Sequence, residues 1–110
     1  MARSLYQLRE DSRRIFAAGV AAVDPVAAVQ RHVQRQDGIL RVDGVSYVLS
    51  RYAHIYVVGA GKAGATMAQG ISTLLGERLT AGSVTVKYGH SAPVAGVTIH
   101  EAAHPVPDAA

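Results

Sequence analysis

The stretch VVGAGKAGATM, residues 57–67, places a lysine inside a run of glycines. Gly59, Gly61 and Gly64 have the spacing of a dinucleotide-binding loop, and Lys62 lies among them. Glycines let the chain turn tightly and let its amide groups approach an anion, while the start of a following helix adds a partial positive charge. The stretch therefore predicts an anion-binding loop, which serves either a dinucleotide or phosphate chemistry in which Lys62 takes part.

The context of this loop makes the pattern more specific than its glycines alone. A β-rich run, residues 53–58, precedes the loop, and a segment with helical spacing, residues 62–75, follows it. A glycine pattern between a strand and a helix is the arrangement that binds phosphate groups. A structural interpretation of Gly64 stays open beside this one, because a glycine there also lets the helix pack closely on the strand.

A dinucleotide site makes a further demand that the sequence does not meet. An acidic residue should end the second strand, about 20 residues on, to hold the ribose hydroxyl groups. The second predicted strand ends in VTVKYGH, with Lys87 at that place, and Glu77 lies before the strand. NAD is therefore disfavoured. NADP stays possible, because a basic residue there can meet its additional phosphate.

The chain's two lysines occupy equivalent places. Lys62 and Lys87 are the only lysines among eleven basic residues, and each follows a predicted strand with a glycine nearby. Adjacent parallel strands end at one edge of a sheet, where ligands bind. A flexible ammonium group there meets phosphate as a point charge; a chance arrangement of surface bases is the alternative. His90, in the glycine turn after the same strand as Lys87, is a further candidate.

The segment His100–His104 matches the HExxH pattern of zinc hydrolases. That chemistry needs both histidines on one face of a helix, with the glutamate beside the metal-bound water. Here Val97–Ile99 have β character, and Pro105 disfavours the α conformation at His104. We therefore expect a strand followed by a turn, and no metal site. His32 and His54 are interpreted as ordinary, partly exposed histidines.

The first half of the chain predicts two helices and a β-hairpin. Apolar residues from 5 to 23 fall on one helical face, and Asp24-Pro25 is typical of the cap and first position of a second helix, which we expect to end at Gly38. Two short β-rich runs around Asp43-Gly44 then predict a tight hairpin.

The second half predicts the beginning of an open α/β sheet. Strand, helix and strand follow each other from residue 53, and a third strand lies within residues 95–103. This order implies parallel strands joined by a right-handed crossover. The fold class is therefore α/β, with an incomplete parallel sheet preceded by two helices and a hairpin.

Composition limits the possible classes of protein. The chain has 110 residues, of which 49% are hydrophobic and 17% charged, as in one small globular domain. Cysteine is absent, which excludes disulfides and fits a reducing compartment, so we expect a cytoplasmic protein. No apolar run approaches the ~20 residues of a membrane span.

The charge distribution disfavours a nucleic-acid partner. The net charge is +3, and Arg13 and Arg14 lie one helical turn from Glu10 and Asp11, where ion pairs are expected. Aromatic residues are few and are not interleaved with the basic ones. We therefore expect neither a nucleic acid nor a membrane as a partner.

Three segments together resemble the N-terminal region of the glycerate 2-kinase family, whose C-terminal half carries the MOFRL domain. They are VVGAGKAGATMAQG, VTVKYGHSAP and EAAHPVPDAA, in that order and spacing. The preceding stretch GILRVDGVSYVLSRYAHIYVVGAGKA also fits the family, so the resemblance covers nearly the whole chain. The three segments in combination are specific.

The resemblance implies an enzyme that transfers phosphate from ATP, with Mg²⁺, to the 2-hydroxyl of D-glycerate. Residues 1–110 would form the N-terminal part of a Rossmann-like domain, without the remainder of that domain and without the C-terminal MOFRL domain. The active site of such an enzyme lies in the cleft between two domains. We therefore expect residues 1–110 alone to be inactive. Oligomeric state stays open.

The resemblance also assigns roles to individual residues. Lys62 would be catalytic, and the glycines of its loop, Gly59, Gly61 and Gly64, would bind substrate or nucleotide. The KYGH segment places Lys87 and His90 in the same cleft, and the HPVPD segment places His104 and Asp108 there. No metal ligand and no catalytic base is assigned. The alternatives are an NADP-dependent hydroxypyruvate reductase and a non-catalytic nucleotide-binding module.

Overall fold

The computed structural model describes residues 2–110, which begin with two helices. Helix α1 spans Leu5–Ala22 and helix α2 spans Pro25–His32. Ser4 caps α1 in a capping box, since its hydroxyl accepts the Gln7 amide at 3.2 Å and the Gln7 side chain accepts the Ser4 amide at 2.8 Å. Asp24 caps α2 by accepting the Ala27 amide at 2.9 Å. The predicted start of α2 is confirmed.

A three-stranded antiparallel sheet follows, with β1 (Val33–Gln36), β2 (Ile39–Val42) and β3 (Val45–Val48) in the order β1-β2-β3. The predicted hairpin is β2-β3. Its turn residues Asp43 and Gly44 both have positive φ, 46° and 83°, as a tight hairpin turn requires. A short 3₁₀ turn at Leu49–Arg51 leads out of this sheet.

The prediction that α2 continues to Gly38 is wrong. The helix ends at His32, and the next four residues form β1, which pairs with β2 so that Val33 stands opposite Val42. Val33 continues the apolar spacing of α2, which is why the sequence favours a longer helix. The non-local pairing with β2 overrides that local preference.

The second sheet is parallel and contains the glycine loop. Its strands are β4 (Tyr56–Ala60), β5 (Ala81–Lys87) and β6 (Val97–Ala102), in the order β4-β5-β6. Helix α3 (Gly64–Leu75) and a 3₁₀ turn at Gly76–Arg78 connect β4 to β5. The predicted strand-helix-strand unit and the α/β fold class are confirmed.

The link from β5 to β6, residues 88–96, has no helix and lies against α3. The Gln69 side chain donates a hydrogen bond to the Pro93 carbonyl at 3.1 Å, and the Ser72 hydroxyl donates to the carbonyl of Ala95. Ala92 and Val94 also pack on the core. The crossover therefore shares the face of the sheet that α3 covers.

The core lies between α3 and the parallel sheet. Ala65 and Ala68 of α3 pack against Val84 and Val86 of β5, and all four are buried. The opposite face of the sheet is open, with Val58 82% exposed. None of the residues Leu5–Ala22 of α1 is buried.

Arg35 attaches the antiparallel sheet to α3. Its guanidinium donates hydrogen bonds to the carbonyls of Leu74 and Leu75, at 3.0 and 2.7 Å, and to the Glu77 carboxylate at 3.2 Å. These carbonyls end α3 and lack partners within the helix, so a cation there is favourable.

On α1, Arg13 pairs with Glu10 as expected, but Asp11 pairs with Arg3 rather than with Arg14.

Among residues 2–110, no helix is both long and apolar enough to cross a membrane.

We expect Gly64→Ala to destabilise the full-length protein that carries this chain. A Cβ at Gly64 would lie 2.7 Å from Val84 Cγ1, which is too close for either atom to stay in place. Overpacking of this kind costs about 1–3 kcal/mol in the free energy of unfolding, measured by urea denaturation. Gly59→Ala is the matched control, because its added carbon would meet the same valine at 3.6 Å, an ordinary contact. Equal effects of the two substitutions would contradict this packing account.

Candidate functional site

The glycine–lysine loop, residues 59–64, turns the chain from β4 into α3. Gly61 has φ +121°, a conformation that side-chain-bearing residues rarely adopt. Its amide donates to the Thr85 carbonyl at 3.0 Å, so the loop stays attached to β5 for one residue beyond β4. The Gly64 amide donates back to the Gly61 carbonyl at 3.0 Å. The turn is therefore fixed from both sides.

The three positions that glycine occupies in the loop place different physical demands on the residue. Gly61 supplies the positive φ, and Gly64 supplies the space for α3 to approach Val84. Gly59 has only ordinary contacts at the place of a missing Cβ. The packing interpretation of Gly64 therefore holds in the structure, and anion binding by the three glycines remains a prediction.

The start of α3 leaves donors available beside Lys62. Ala63 occupies the cap position, makes no side-chain capping bond, and the first turn of α3 contains no acidic residue. Within residues 2–110, the amides of Lys62 and Ala63 donate to no backbone carbonyl. Lys62 is exposed. An anion at this point would meet two amides, the positive end of α3 and an ammonium group.

The strands β4, β5 and β6 bring their carboxyl ends to one edge. Ala60 pairs with Thr85 and Lys87 pairs with Ala102, so Lys62 and Lys87 each follow the Ala60–Thr85 pair by two residues. The prediction that both lysines lie at the same edge of the sheet is confirmed. β5 ends in Lys87, as predicted. The position where a dinucleotide site needs an acidic residue to bind the ribose hydroxyl groups is therefore occupied by a lysine.

The turn after β5, residues 87–90, is held by hydrogen bonds from its backbone. The Tyr88 amide donates to the Ala102 carbonyl at 3.1 Å, and the His90 amide donates to the Lys87 carbonyl at 3.0 Å. Gly89 has φ +80°, and its amide donates to Glu101 Oε1 at 3.1 Å. The glutamate of the HExxH pattern is thus a partner of this turn.

Asp108, at the end of the HPVPD segment, is engaged by Tyr88. The Tyr88 hydroxyl donates to Asp108 Oδ2 at 2.9 Å, and the Ala110 amide donates to Oδ1 at 3.2 Å. The Tyr88 hydrogen bond, followed by that of Ala110, lowers the pKa of Asp108. The same contact with Asp108 is the main cause that raises the pKa of Tyr88.

These shifts fix the pH range in which the Tyr88–Asp108 contact contributes. The lowered pKa of Asp108 means that its stabilisation is present above the ordinary carboxyl pKa and is lost as pH falls through the folded-state value. The raised pKa of Tyr88 means that its stabilisation is present below the ordinary tyrosine pKa and is lost as pH rises through the folded-state value. The contact is therefore intact at neutral pH.

A cleft of about 600 Å³ borders the loop, within the usual size of a small-molecule site. Its walls are the loop itself, apolar side chains of α2 and α3, and the edge of β4 that pairs with no other strand of residues 2–110. The structure thus brings Gly59, Gly61, Lys62 and Gly64 into one cleft. The other predicted binding residues lie outside it, along the ends of β5 and β6; they are Lys87, His90, His104 and Asp108.

His32 also lines this cleft, which the sequence did not indicate. Its Nδ1 lies 2.7 Å from Asp43 Oδ1, and the Asp43 amide donates to the His32 carbonyl at 2.9 Å. The two residues continue the register of β1 and β2 beyond the Val33–Val42 pair. Only the unpredicted strand β1 brings them together, so no spacing in the sequence could have identified the pair.

The HExxH segment has the expected strand and turn. His100 and Glu101 lie in β6, and His104 follows the end of that strand. Because the segment is extended, the two histidines do not share a helical face. Among residues 2–110, no three histidine, aspartate or glutamate side chains are arranged to hold a metal ion.

Comparisons with known proteins agree with this fold. A family described as "Domain of unknown function (DUF4147)" matches residues 11–110. A Pyrococcus horikoshii protein named glycerate 2-kinase is 31% identical over 92% of the chain, and an Agrobacterium vitis protein provisionally named a hydroxypyruvate reductase is 38% identical over 91% of it. The chain spans about a fifth of the length of these curated relatives, 22% and 20% respectively.

Two solved structures have the same fold. A crystal structure of a Pyrococcus horikoshii OT3 protein covers 98% of this chain, with a TM-score of 0.76 and 30% identity. The crystal structure of a glycerate kinase from Thermotoga maritima covers 94% of it, with a TM-score of 0.65 and 28% identity. The chain aligns with 23% and 22% of those two chains.

The fold and the loop together define a Rossmann-like α/β unit with a glycine–lysine turn between β4 and α3. The family match then makes the assignment more specific. The chain belongs to the DUF4147 family, which is the N-terminal domain of the glycerate kinase (MOFRL) family.

Proposed function

We propose that this chain is the N-terminal part of a glycerate 2-kinase, which transfers the γ-phosphoryl group of ATP to the 2-hydroxyl of D-glycerate. One observation carries the proposal: Lys62 lies in the wall of a cleft at the start of α3, and within residues 2–110 its own amide and that of Ala63 donate to no backbone carbonyl. The relatives named glycerate 2-kinase support it. The absence of cysteine fits a cytoplasmic location.

The proposal includes a larger domain around residues 1–110. In doubly wound sheets the first strand lies inside the sheet, whereas β4 has only β5 as a neighbour among the residues that the structure describes. We propose that further strands of the same domain pair with the open edge of β4, and that a MOFRL domain forms the other side of the cleft. Residues 1–110 alone would then phosphorylate no glycerate, because half a cleft neither aligns two substrates nor excludes water.

The loop suits the phosphate groups of ATP, whereas residues 2–110 contain no group of three histidine, aspartate or glutamate side chains arranged to hold a metal ion. The amides of Lys62 and Ala63 and the Lys62 ammonium group match an oxyanion. The carboxylates nearest the edge, Glu101 and Asp108, already accept hydrogen bonds from the turn after β5. When bound, Mg²⁺ would neutralise charge on the phosphates.

Lys62 would act by charge neutralisation during an in-line transfer. The 2-hydroxyl oxygen of glycerate forms a bond to the γ-phosphorus while the bond to the bridging oxygen of ADP breaks, and the hydroxyl proton is released to solvent. Negative charge on the transferring group is then met by the Lys62 ammonium group and the two amides. Because the hydrogen bonds of the turn fix the two amides before the reaction, these amides stabilise the transition state without reorganisation.

An NADP-dependent reduction of hydroxypyruvate is the second candidate. The name of the Agrobacterium vitis relative favours it, and Lys87 at the end of β5 could meet the additional phosphate of NADP.

Assays of the full-length protein distinguish the two functions. We expect glycerate-dependent formation of ADP and of a phosphoglycerate, identified as the 2-phosphate isomer by nuclear magnetic resonance. Oxidation of NADPH by hydroxypyruvate, without phosphorylation of glycerate, would contradict the kinase and establish the reductase.

We expect Lys62→Ala in the full-length enzyme to lower kcat by ~10²-fold or more, equivalent to ~3 kcal/mol. The binding of glycerate and ATP should change less, because the interaction grows in the transition state. Lys62→Arg should rescue poorly, since the guanidinium is wider and planar. Steady-state kinetics measure both variants.

The matched control for Lys62→Ala is Arg9→Ala, because Arg9 is another exposed basic residue and lies on α1. If Lys62→Ala keeps kcat within about threefold of the parent, under ~1 kcal/mol, while thermal unfolding shows an intact fold, Lys62 has no role in transfer.

A further inference from the structure

We infer that Glu101 and Asp108 are positioning residues for the turn after β5, residues 87–90, and so hold Lys87 and His90 at the edge of the sheet. We call these two side chains the carboxylate pair. The inference deepens the proposed function and rests on it, because it concerns the edge at which the substrates would bind.

Glu101, a residue of β6, binds the turn after β5 through a hydrogen bond. It pairs with Val86 in the register of the parallel sheet, and Val86 is buried in the core. From this fixed strand its Oε1 accepts the Gly89 amide at 3.1 Å. Gly89 has φ +80°, and the hydrogen bond is made with the turn in this conformation. The hydrogen bond therefore stabilises this conformation of the turn.

Asp108 holds the same turn from the segment that follows β6. Its Oδ2 accepts the Tyr88 hydroxyl at 2.9 Å, while Oδ1 accepts the Ala110 amide at 3.2 Å. The Tyr88 amide donates to the Ala102 carbonyl at 3.1 Å, so both ends of Tyr88 are tied to the chain after Glu101. Two carboxylates thus bind two successive residues of one short turn.

The turn presents two cationic or polar side chains that the carboxylate pair does not use. Within residues 2–110, the side chains of Lys87 and His90 make no hydrogen bond or ion pair with another residue of the chain. The carboxylate pair binds the neighbours of these residues, Tyr88 and Gly89, and leaves Lys87 and His90 to face an anionic ligand. A role in positioning explains why the acids contact the turn rather than the lysine.

The Tyr88–Asp108 contact has a spectroscopic test that does not depend on activity. Alkaline titration of tyrosine absorbance in the full-length protein should include a component with a raised pKa, which disappears in Tyr88→Phe. In Asp108→Asn the same tyrosine should titrate closer to the ordinary value, because the amide keeps an acceptor but loses the charge. An Asp108→Asn titration that equals the parent's would overturn the contact.

Kinetics of Glu101 variants test the positioning itself. We expect Glu101→Ala to lower kcat/KM for glycerate by about tenfold or more, and Glu101→Gln to stay within about threefold of the parent, because the amide oxygen still accepts the Gly89 N–H. Glu77→Ala is the control, since Glu77 is an exposed, paired carboxylate at the opposite end of the parallel sheet. It should stay within about threefold as well.

The outcomes separate this inference from the proposed function. A full-length parent that phosphorylates no glycerate contradicts the proposed function, while the tyrosine titration still decides the contact. An active parent with Glu101→Ala within about threefold, or with Glu101→Gln as impaired as Glu101→Ala, overturns the positioning role. If Glu101→Ala fails to fold, Tyr88→Phe replaces it in the kinetics, and activity equal to the parent's overturns the role.

Discussion

The close approach of α3 to β5 is the contact on which the rest of the site depends. It is possible because Gly64 has no side chain where Val84 lies, and because Ala65 and Ala68 continue the same small surface along the helix. This packing sets the position of the first turn of α3, and with it the direction of the amides beside Lys62. Displacing α3 by the width of a methyl group would move the whole glycine–lysine loop, since close-packed protein interiors transmit strain rather than absorb it.

The parallel register extends that constraint across the edge of the sheet. Three strands of one direction must end together, so the loop with Lys62, the turn with Lys87 and the segment with His104 emerge side by side. The cleft includes only the first of these. The other two are joined to each other by the hydrogen bonds of the carboxylate pair, Glu101 and Asp108.

Local patterns predicted most of this architecture because the interactions that decide it are local. The cap at Asp24, the turn at Asp43-Gly44 and the glycine loop each have a sequence signature with a physical cause. Strand β1 was missed because it depends on its pairing with β2, and the His32–Asp43 contact was missed with it. The bonds of Glu101 and Asp108 likewise join segments that are separate in sequence. No spacing in the sequence predicts these hydrogen bonds. The HExxH pattern includes Glu101, but it is typical of a zinc site and not of this contact.

The most direct test of the account is a crystal structure of the full-length protein with ADP, Mg²⁺, aluminium fluoride and D-glycerate. The fluoride complex imitates the transferring phosphoryl group. The account predicts that its fluorine atoms lie within hydrogen-bond distance, about 3 Å, of Lys62 Nζ and of the Ala63 amide. A complex bound elsewhere in the cleft, with no contact to Lys62 or to the start of α3, would contradict it.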